Sequence, residues 1–206
     1  MKSTDVRDDQ IPAGAGSAKE VAPIAAASVI LVRSSPLEVL LMRRHEKSSF
    51  VPGAWVFPGG IVEDVDRIAD ELTAMKRCAV RELCEEAGIP LDAESLVCTA
   101  RWITPVGVPK RFDTWFFVAE SPSGAEARPD ETEVVEVLWL TPREALERHE
   151  RGELALVFPT IKNLEALAEH RSAADLIEAR RGAVVKTMRP ILVIEGDKKR
   201  IALPDE

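Results

Sequence analysis

The sequence predicts a mixed α/β sandwich with a helical and hairpin extension at its C-terminal end. A chain of 206 residues suits one buried core better than two small ones. Short runs rich in Val, Ile and Leu recur from Ala26 to Leu203 and read as strands. Helix-forming stretches interrupt them without the regular strand-helix rhythm of a doubly wound parallel sheet.

In chain order, residues 1–22 mix charges with Ala, Gly and Ser and read as a flexible tail. They lack the basic-then-apolar order of a secretory signal. Ala26–Val32 and Glu38–Met42 read as strands joined by a turn at Ser34-Ser35-Pro36. Val51–Gly60 holds Pro52-Gly53 and Pro58-Gly59-Gly60 and reads as a loop with a brief extended piece. A helix is expected from Asp66 or Asp70 to Ala87, since it is free of Gly and Pro and stops at Gly88. Leu96–Ile103, Asp113–Ala119 and Val134–Leu140 are further strands. Thr141-Pro142-Arg143-Glu144 is a capping box that opens a helix ending near Gly152. Helices are expected again over Pro159–His170 and Ser172–Arg181. Ile191–Ile194 and Arg200–Leu203 then flank Glu195-Gly196-Asp197 as a terminal hairpin.

Composition narrows the function classes. With 46% hydrophobic and 30% charged residues the chain has the balance of a soluble protein, and no apolar run nears the roughly 20 residues that span a bilayer. Cys78, Cys84 and Cys98 are odd in number and lack C-x-x-C spacing, which points to a reducing, cytoplasmic setting. A formal net charge of -8 disfavours binding to a nucleic-acid backbone. A small polyanion would need local cations, and Arg43, Arg44, Lys110 and Arg111 can supply them.

The helix before Gly88 carries the chemistry. At about 100° per residue, Leu72, Met75, Ala79 and Leu83 share an apolar face, while Glu86 lies within it and Glu82 on its border. Glu82, Glu85 and Glu86 are mutual neighbours in the last turns, where the helix dipole is already negative. Something positive should compensate. Salt bridges from Arg77 and Arg81 would do so, and so would a hard divalent cation, which prefers clustered carboxylate oxygens.

Gly59-Gly60, followed by a helix ending Arg81-Glu82-Leu83-Cys84-Glu85-Glu86-Ala87-Gly88-Ile89, resembles the Nudix box, G-x5-E-x7-R-E-U-x-E-E-x-G-U with U aliphatic. The second half matches at every specified position. The first half departs: the family pattern puts thirteen residues between its Gly and Arg, whereas Gly60 and Arg81 are separated by twenty. Counting forward places Asp66 at the first Glu, counting back places Thr73 there, and Asp66, Asp70 and Glu71 all stay open as its substitute. The long spacing and Gly53–Gly60 are similar to the coenzyme A diphosphatase branch. That branch's upstream Thr and Arg are replaced, with Met42 following Leu40-Leu41 and Ser49 standing four residues before Gly53. The resemblance covers residues 23–160 and leaves 161–206 as the extension packed on the same domain.

The resemblance implies a Nudix-type α/β/α sandwich and a hydrolase that cleaves a diphosphate linkage in a nucleoside diphosphate derivative, with coenzyme A or an acyl-coenzyme A as the leading substrate. It implies magnesium or manganese held by Glu82, Glu85, Glu86 and the Gly60 carbonyl, with Arg81 orienting the carboxylates. A downstream Glu completes such sites as base or ligand. Glu133 is favoured because it stands just before an apolar strand, ahead of Glu131 and Glu136. Arg101-Trp102 and Arg111-Phe112 could grip phosphate or stack on a base, although a strand-end charge and a core aromatic explain them as well. His45, His149 and His170 read as surface residues. A Nudix-fold module that binds a nucleotide-derived metabolite without cleaving it is the alternative, and a homodimer stays open.

Overall fold

The computed structural model describes residues 11, 15–16, 20–34, 36–196 and 198–204. Eight strands form one sheet: β1 (Ile24–Arg33), β2 (Glu38–Arg44), β3 (Trp55–Val56), β4 (Gly59–Ile61), β5 (Val97–Ile103), β6 (Phe112–Glu120), β7 (Val134–Leu140) and β8 (Thr187–Met188). The order runs β3-β2-β1-β6-β5-β8, with β4 added to β1 and β7 to β2. β1 runs parallel to β6 from Ile24 opposite Phe112 to Val32 opposite Glu120, and β5 runs parallel to β8. The remaining pairings are antiparallel, so the sheet is mixed as expected. β9 (Ile191–Glu195) and β10 (Lys198–Ala202) form the separate terminal hairpin. Ser35 and Asp197, placed in turns from the sequence, lie outside the described residues.

Helices cover both faces. Ala27, Val29 and Leu31 of β1 join one core with α1 (Glu71–Ala87), while Ile30 and Val32 join the other with α2 (Pro142–Glu150), α3 (Phe158–Leu167) and α4 (Ala173–Arg180). Successive strand side chains point to opposite faces, so a strand covered twice must be apolar at nearly every position. The run from Ala26 to Val32 meets that demand except at Ser28, whose hydroxyl donates to the Pro58 carbonyl at 2.7 Å. Each fully buried Val, Leu or Ile contributes about 1.5–3 kcal/mol.

α1 starts where its cap is. The Asp70 carboxylate accepts from the Thr73 amide (3.1 Å) and hydroxyl (2.7 Å), and Gly88 ends the helix in the left-handed conformation at φ 69°. Asp66 therefore lies ahead of the helix, in a 3-10 turn over Asp64–Asp66. Leu72, expected on the apolar face, is 42% exposed, because the buried stripe begins one turn later at Ala74 and Met75. The N-terminal segment also departs from a free tail. Ile11 and Ala15 are buried in a small cluster with Val108, and the Gly16 amide donates to the Gly107 carbonyl at 2.8 Å. Residues 1–10 lie outside the described residues. Among the described residues, no helix is long and apolar enough to cross a membrane.

Candidate active site

Arg81 is the hub of an acidic cluster at the end of α1. Its guanidinium forks onto Asp66, with Nε 3.2 Å from Oδ1 and Nη2 3.0 Å from Oδ2. Nη1 donates to both Glu82 and Glu85 at 2.9 Å, and Nη2 also reaches the Ile61 carbonyl at 3.1 Å. Asp66 is thus the acid that holds Arg81. Asp70 is committed to the helix cap, and Glu71 lies 3.8 Å from Arg101. Asp66 is only 2% exposed; burial works to raise its pKa, but the Arg81 hydrogen bonds and charge, with the Glu63 amide, hold it below the usual range. Of the two arginines offered as salt-bridge partners for the glutamates, Arg81 fills the role, whereas Arg77 turns toward the Val65 carbonyl.

Glu86 sits deeper, 4% exposed, where it accepts one hydrogen bond at 2.9 Å from the Gly59 amide. Burial pushes its carboxyl up to about 8, partly offset by that amide and reinforced by the charge of Glu82. Glu82 is raised too, by burial first, against the pull of Arg81. A buried carboxylate with one partner, beside two more, lacks positive charge. Oxygen donors in this number fit a hard divalent cation. As the side chains stand, no three His, Cys, Asp or Glu groups converge among the described residues, and Arg81 holds Glu82 and Glu85 instead.

Of the two glycines before α1, Gly60 allows the close approach of that helix and Gly59 that of β1. A Cβ on Gly60 would lie 2.3 Å from Glu82 Oε1, and one on Gly59 would lie 2.4 Å from the Ala27 carbonyl oxygen. The Gly60 carbonyl, expected at the metal, lies 3.6 Å from the buried Cys78 thiol under the helix. Its place at the site therefore follows from its missing side chain.

Glu133 faces this cluster and lines the same cavity, and its charge helps to raise Glu82 and Glu86. Asp130 positions it, a role the sequence reading missed. Its carboxylate accepts from the Glu133 amide at 3.1 Å and the Val134 amide at 2.8 Å, with the Thr132 hydroxyl beside it. The Glu133 carbonyl in turn accepts from the His45 amide at 2.8 Å. An Asp two to four residues ahead of a strand is the available signal, since such side chains close turns on backbone amides.

The cavity measures about 490 Å³, within the span of small-molecule sites. Of the four cations expected to grip the substrate, Arg44 and Lys110 line it and Arg43 and Arg111 do not. Arg43 pairs with Glu136 at 3.0 Å. Arg111 is 8% exposed and gives its donors to the carbonyls of Thr104 (3.0 Å) and Val21 (2.8 Å), which makes it a brace for the backbone. Arg101 forks onto Asp113 at 2.7 and 2.8 Å, while its neighbour Trp102 lines the cavity. His149, expected at the surface, is buried with Nδ1 2.9 Å from the Leu154 carbonyl, tying the end of α2 to the chain that follows. Part of the lining is apolar: Phe57, Trp102, Phe116 and Phe158 all border the cavity, and all four belong to the core on the face away from α1.

A family model described as NUDIX domain matches residues 22–159. The chain is 27% identical over 180 residues to Putative nudix hydrolase 7 of Caenorhabditis elegans, covering 70% of this chain and 60% of the relative. It is 24% identical over 266 residues to Acyl-coenzyme A diphosphatase NUDT19 of Homo sapiens, covering 82% and 71% respectively. The chain thus spans some 60% to 71% of the length of these relatives. A NUDIX hydrolase structure from Alicyclobacillus acidocaldarius superposes with a TM-score of 0.69 at 27% identity, over 77% of this chain and 96% of that one.

Proposed function

The chain belongs to the Nudix family of hydrolases, and from that premise we propose that it cleaves the diphosphate linkage of a nucleoside diphosphate derivative, with coenzyme A or an acyl-coenzyme A as the preferred class. The observation that carries the reading is the gathering of Glu82 and Glu85 around one guanidinium on a cavity that Glu133 also lines, with Glu86 buried one turn on against the Gly59 amide. The Acyl-coenzyme A diphosphatase similarity supports the substrate class. So does the twenty-residue Gly60-to-Arg81 spacing.

Nudix hydrolases use divalent metal ions. In this chain Glu82, Glu85 and Glu86 would hold magnesium or manganese, which lowers the pKa of a bound water and offsets charge developing at phosphorus. Arg81, anchored by Asp66, keeps Glu82 and Glu85 at one end of the helix. Glu133 would take a proton from the attacking water. Arg44 and Lys110 contribute positive charge along the phosphates. A substrate with a 3′-phosphate gains most from them.

The test is a panel of coenzyme A, its 3′-dephospho form, ADP-ribose and a nucleoside triphosphate with magnesium or manganese, reading nucleotide and phosphate products. The expected result is the highest kcat/KM for coenzyme A or an acyl-coenzyme A. A preference for ADP-ribose or the triphosphate overturns the substrate class and leaves the hydrolase intact. Binding of these compounds without turnover, at saturating metal, favours the non-catalytic module.

A further inference from the structure

Six aromatic residues border the cavity, and they are of two kinds. Phe57, Trp102, Phe116 and Phe158 are at most 6% exposed and belong to a hydrophobic core. Phe50 and Phe112 are half-buried and belong to none of the hydrophobic clusters among the described residues. The core rings border the space because the fold needs them there. The other two leave aromatic surface in water, and covering that surface is a gain still open to an occupant.

Of this pair, Phe50 has the freer ring. Phe112 starts β6, where its amide donates to the Thr104 hydroxyl at 3.0 Å, and the Lys110 ammonium stands 5.3 Å from its ring centre. Phe50 packs edge-on against Phe112 with ring centres 4.9 Å apart and makes no second ring contact among the described residues. Phe112 is thus the buttress and Phe50 the platform. The loop beneath Phe50 is held in an unfavourable shape: Val51 has φ 42°, in the left-handed region that β-branched residues avoid. Arg44 pins this loop, its amide donating to the Ala54 carbonyl at 3.0 Å and its Nε to the Phe50 carbonyl at 3.2 Å. Backbone strain of this kind gathers at ligand clamps, where the surroundings enforce it. Arg44 also lies near enough to Glu86 for its charge to oppose the effect of burial there, so one side chain connects the Phe50 loop with the acids. A nucleotide has the same layout, with its base one ribose away from its phosphates.

We infer that Phe50 is the platform on which the nucleobase of the substrate stacks, and that this end of the site selects a purine by ring area. The inference rests on the diphosphatase reading and assigns the base to a residue, which that reading leaves open. An exposed ring offers a face, and stacking uses a face while leaving the polar edge of the base to water and to the exposed Ser49 alongside. A purine covers more of the ring than a pyrimidine does. Adenine and guanine differ only at their edges, so the platform takes both.

Nucleoside diphosphate sugars that share a glucose arm isolate the base. The measurement is kcat/KM for ADP-glucose, GDP-glucose and UDP-glucose with magnesium, in the wild type, Phe50→Leu and Phe50→Trp. The wild-type ratio of ADP-glucose to UDP-glucose is expected above about five, with ADP-glucose and GDP-glucose within about fivefold of each other. Phe50→Leu keeps bulk and deletes the ring, and the purine advantage should fall at least about threefold through KM with kcat held. Phe50→Trp should keep it. A role in the fold alone lowers all three substrates together, so a smaller fall in Phe50→Leu overturns the inference. An advantage lost in Phe50→Trp as well assigns it to the shape of the loop and overturns the inference too. So does a wild-type ratio below about five, or rejection of GDP-glucose by more than about fivefold, with the hydrolase standing in either case. If none of the three is cleaved, the coenzyme A panel decides whether the diphosphatase reading has failed, and calorimetric titration with AMP, GMP and UMP decides the base. Tighter binding of AMP and GMP than of UMP, lost in Phe50→Leu, sustains the inference, and equal affinities end it.

Discussion

The two walls of the cavity are built from the chain in opposite ways. The acidic wall comes largely from one short stretch, Arg81 to Glu85, in which consecutive helical turns place carboxylates side by side, and Glu133 is its main remote member. The apolar wall is assembled from β3's flank, β5, β6, the first turn of α3 and the terminal hairpin, so its members are scattered from Phe57 to Ile201. The acidic wall is held by charge-assisted bonds that radiate from Arg81. The apolar wall is held by ring packing in a core it shares with the rest of the molecule. A change in the first should therefore strike turnover and spare the fold, while a change in the second should strike selectivity and stability together.

The sharpest break in that contrast comes from Glu86→Gln and Glu85→Gln. Each is expected to lower kcat at least about a hundredfold with folding retained, because catalysis here is mainly electrostatic. Near-normal turnover in either, at saturating magnesium, removes the metal from this helix. Excess chelator should likewise abolish activity, and magnesium or manganese should restore it. Asp66→Ala probes the point where the acidic wall also serves the fold. It strips Arg81 of its buried fork and should cost about 2–3 kcal/mol in urea unfolding, below the usual loss for a buried pair because Glu82 and Glu85 remain. A loss under about 0.5 kcal/mol would mean that the fork contributes no more than an exposed pair. Gly60→Ala should cut kcat about tenfold, since the new methyl group displaces Glu82, and a crystal structure of the variant would show whether that side chain moves. The smallest effect is expected from Lys110→Met, a few-fold rise in KM with kcat unchanged, read by steady-state kinetics at two salt concentrations.

Legibility from sequence follows the same division. The box of α1 could be read because its residues are neighbours at helical spacing, and β1, β2, β5, β6 and β7 because their burial on one or both faces leaves short runs of β-branched, aliphatic or aromatic residues. The substitute for the first Glu could not be chosen by counting. Two frames conflicted, and a 3-10 turn with its own capping box carries Asp66 back to Arg81. β8 left no trace, for two residues, Thr187 and Met188, are too few to show a strand period. Lys110 and Arg111 looked alike as adjacent cations. Only the fold reveals that one lines the cavity and the other is spent on carbonyls. The docking of Ile11 and Ala15 on Val108 was equally invisible, since two apolar residues in a stretch of Pro, Ala and Gly carry no period.

Trp102 also gives the molecule a built-in optical reporter. The chain has four tryptophans and no tyrosine, so its near-ultraviolet emission is essentially that of Trp55, Trp102, Trp115 and Trp139. Of these four, only Trp102 lines the cavity. An occupant of the cavity changes the surroundings of this one ring and leaves the other three as an internal standard. Filling of the cavity can then be followed by the colour of the protein's own light, without a label.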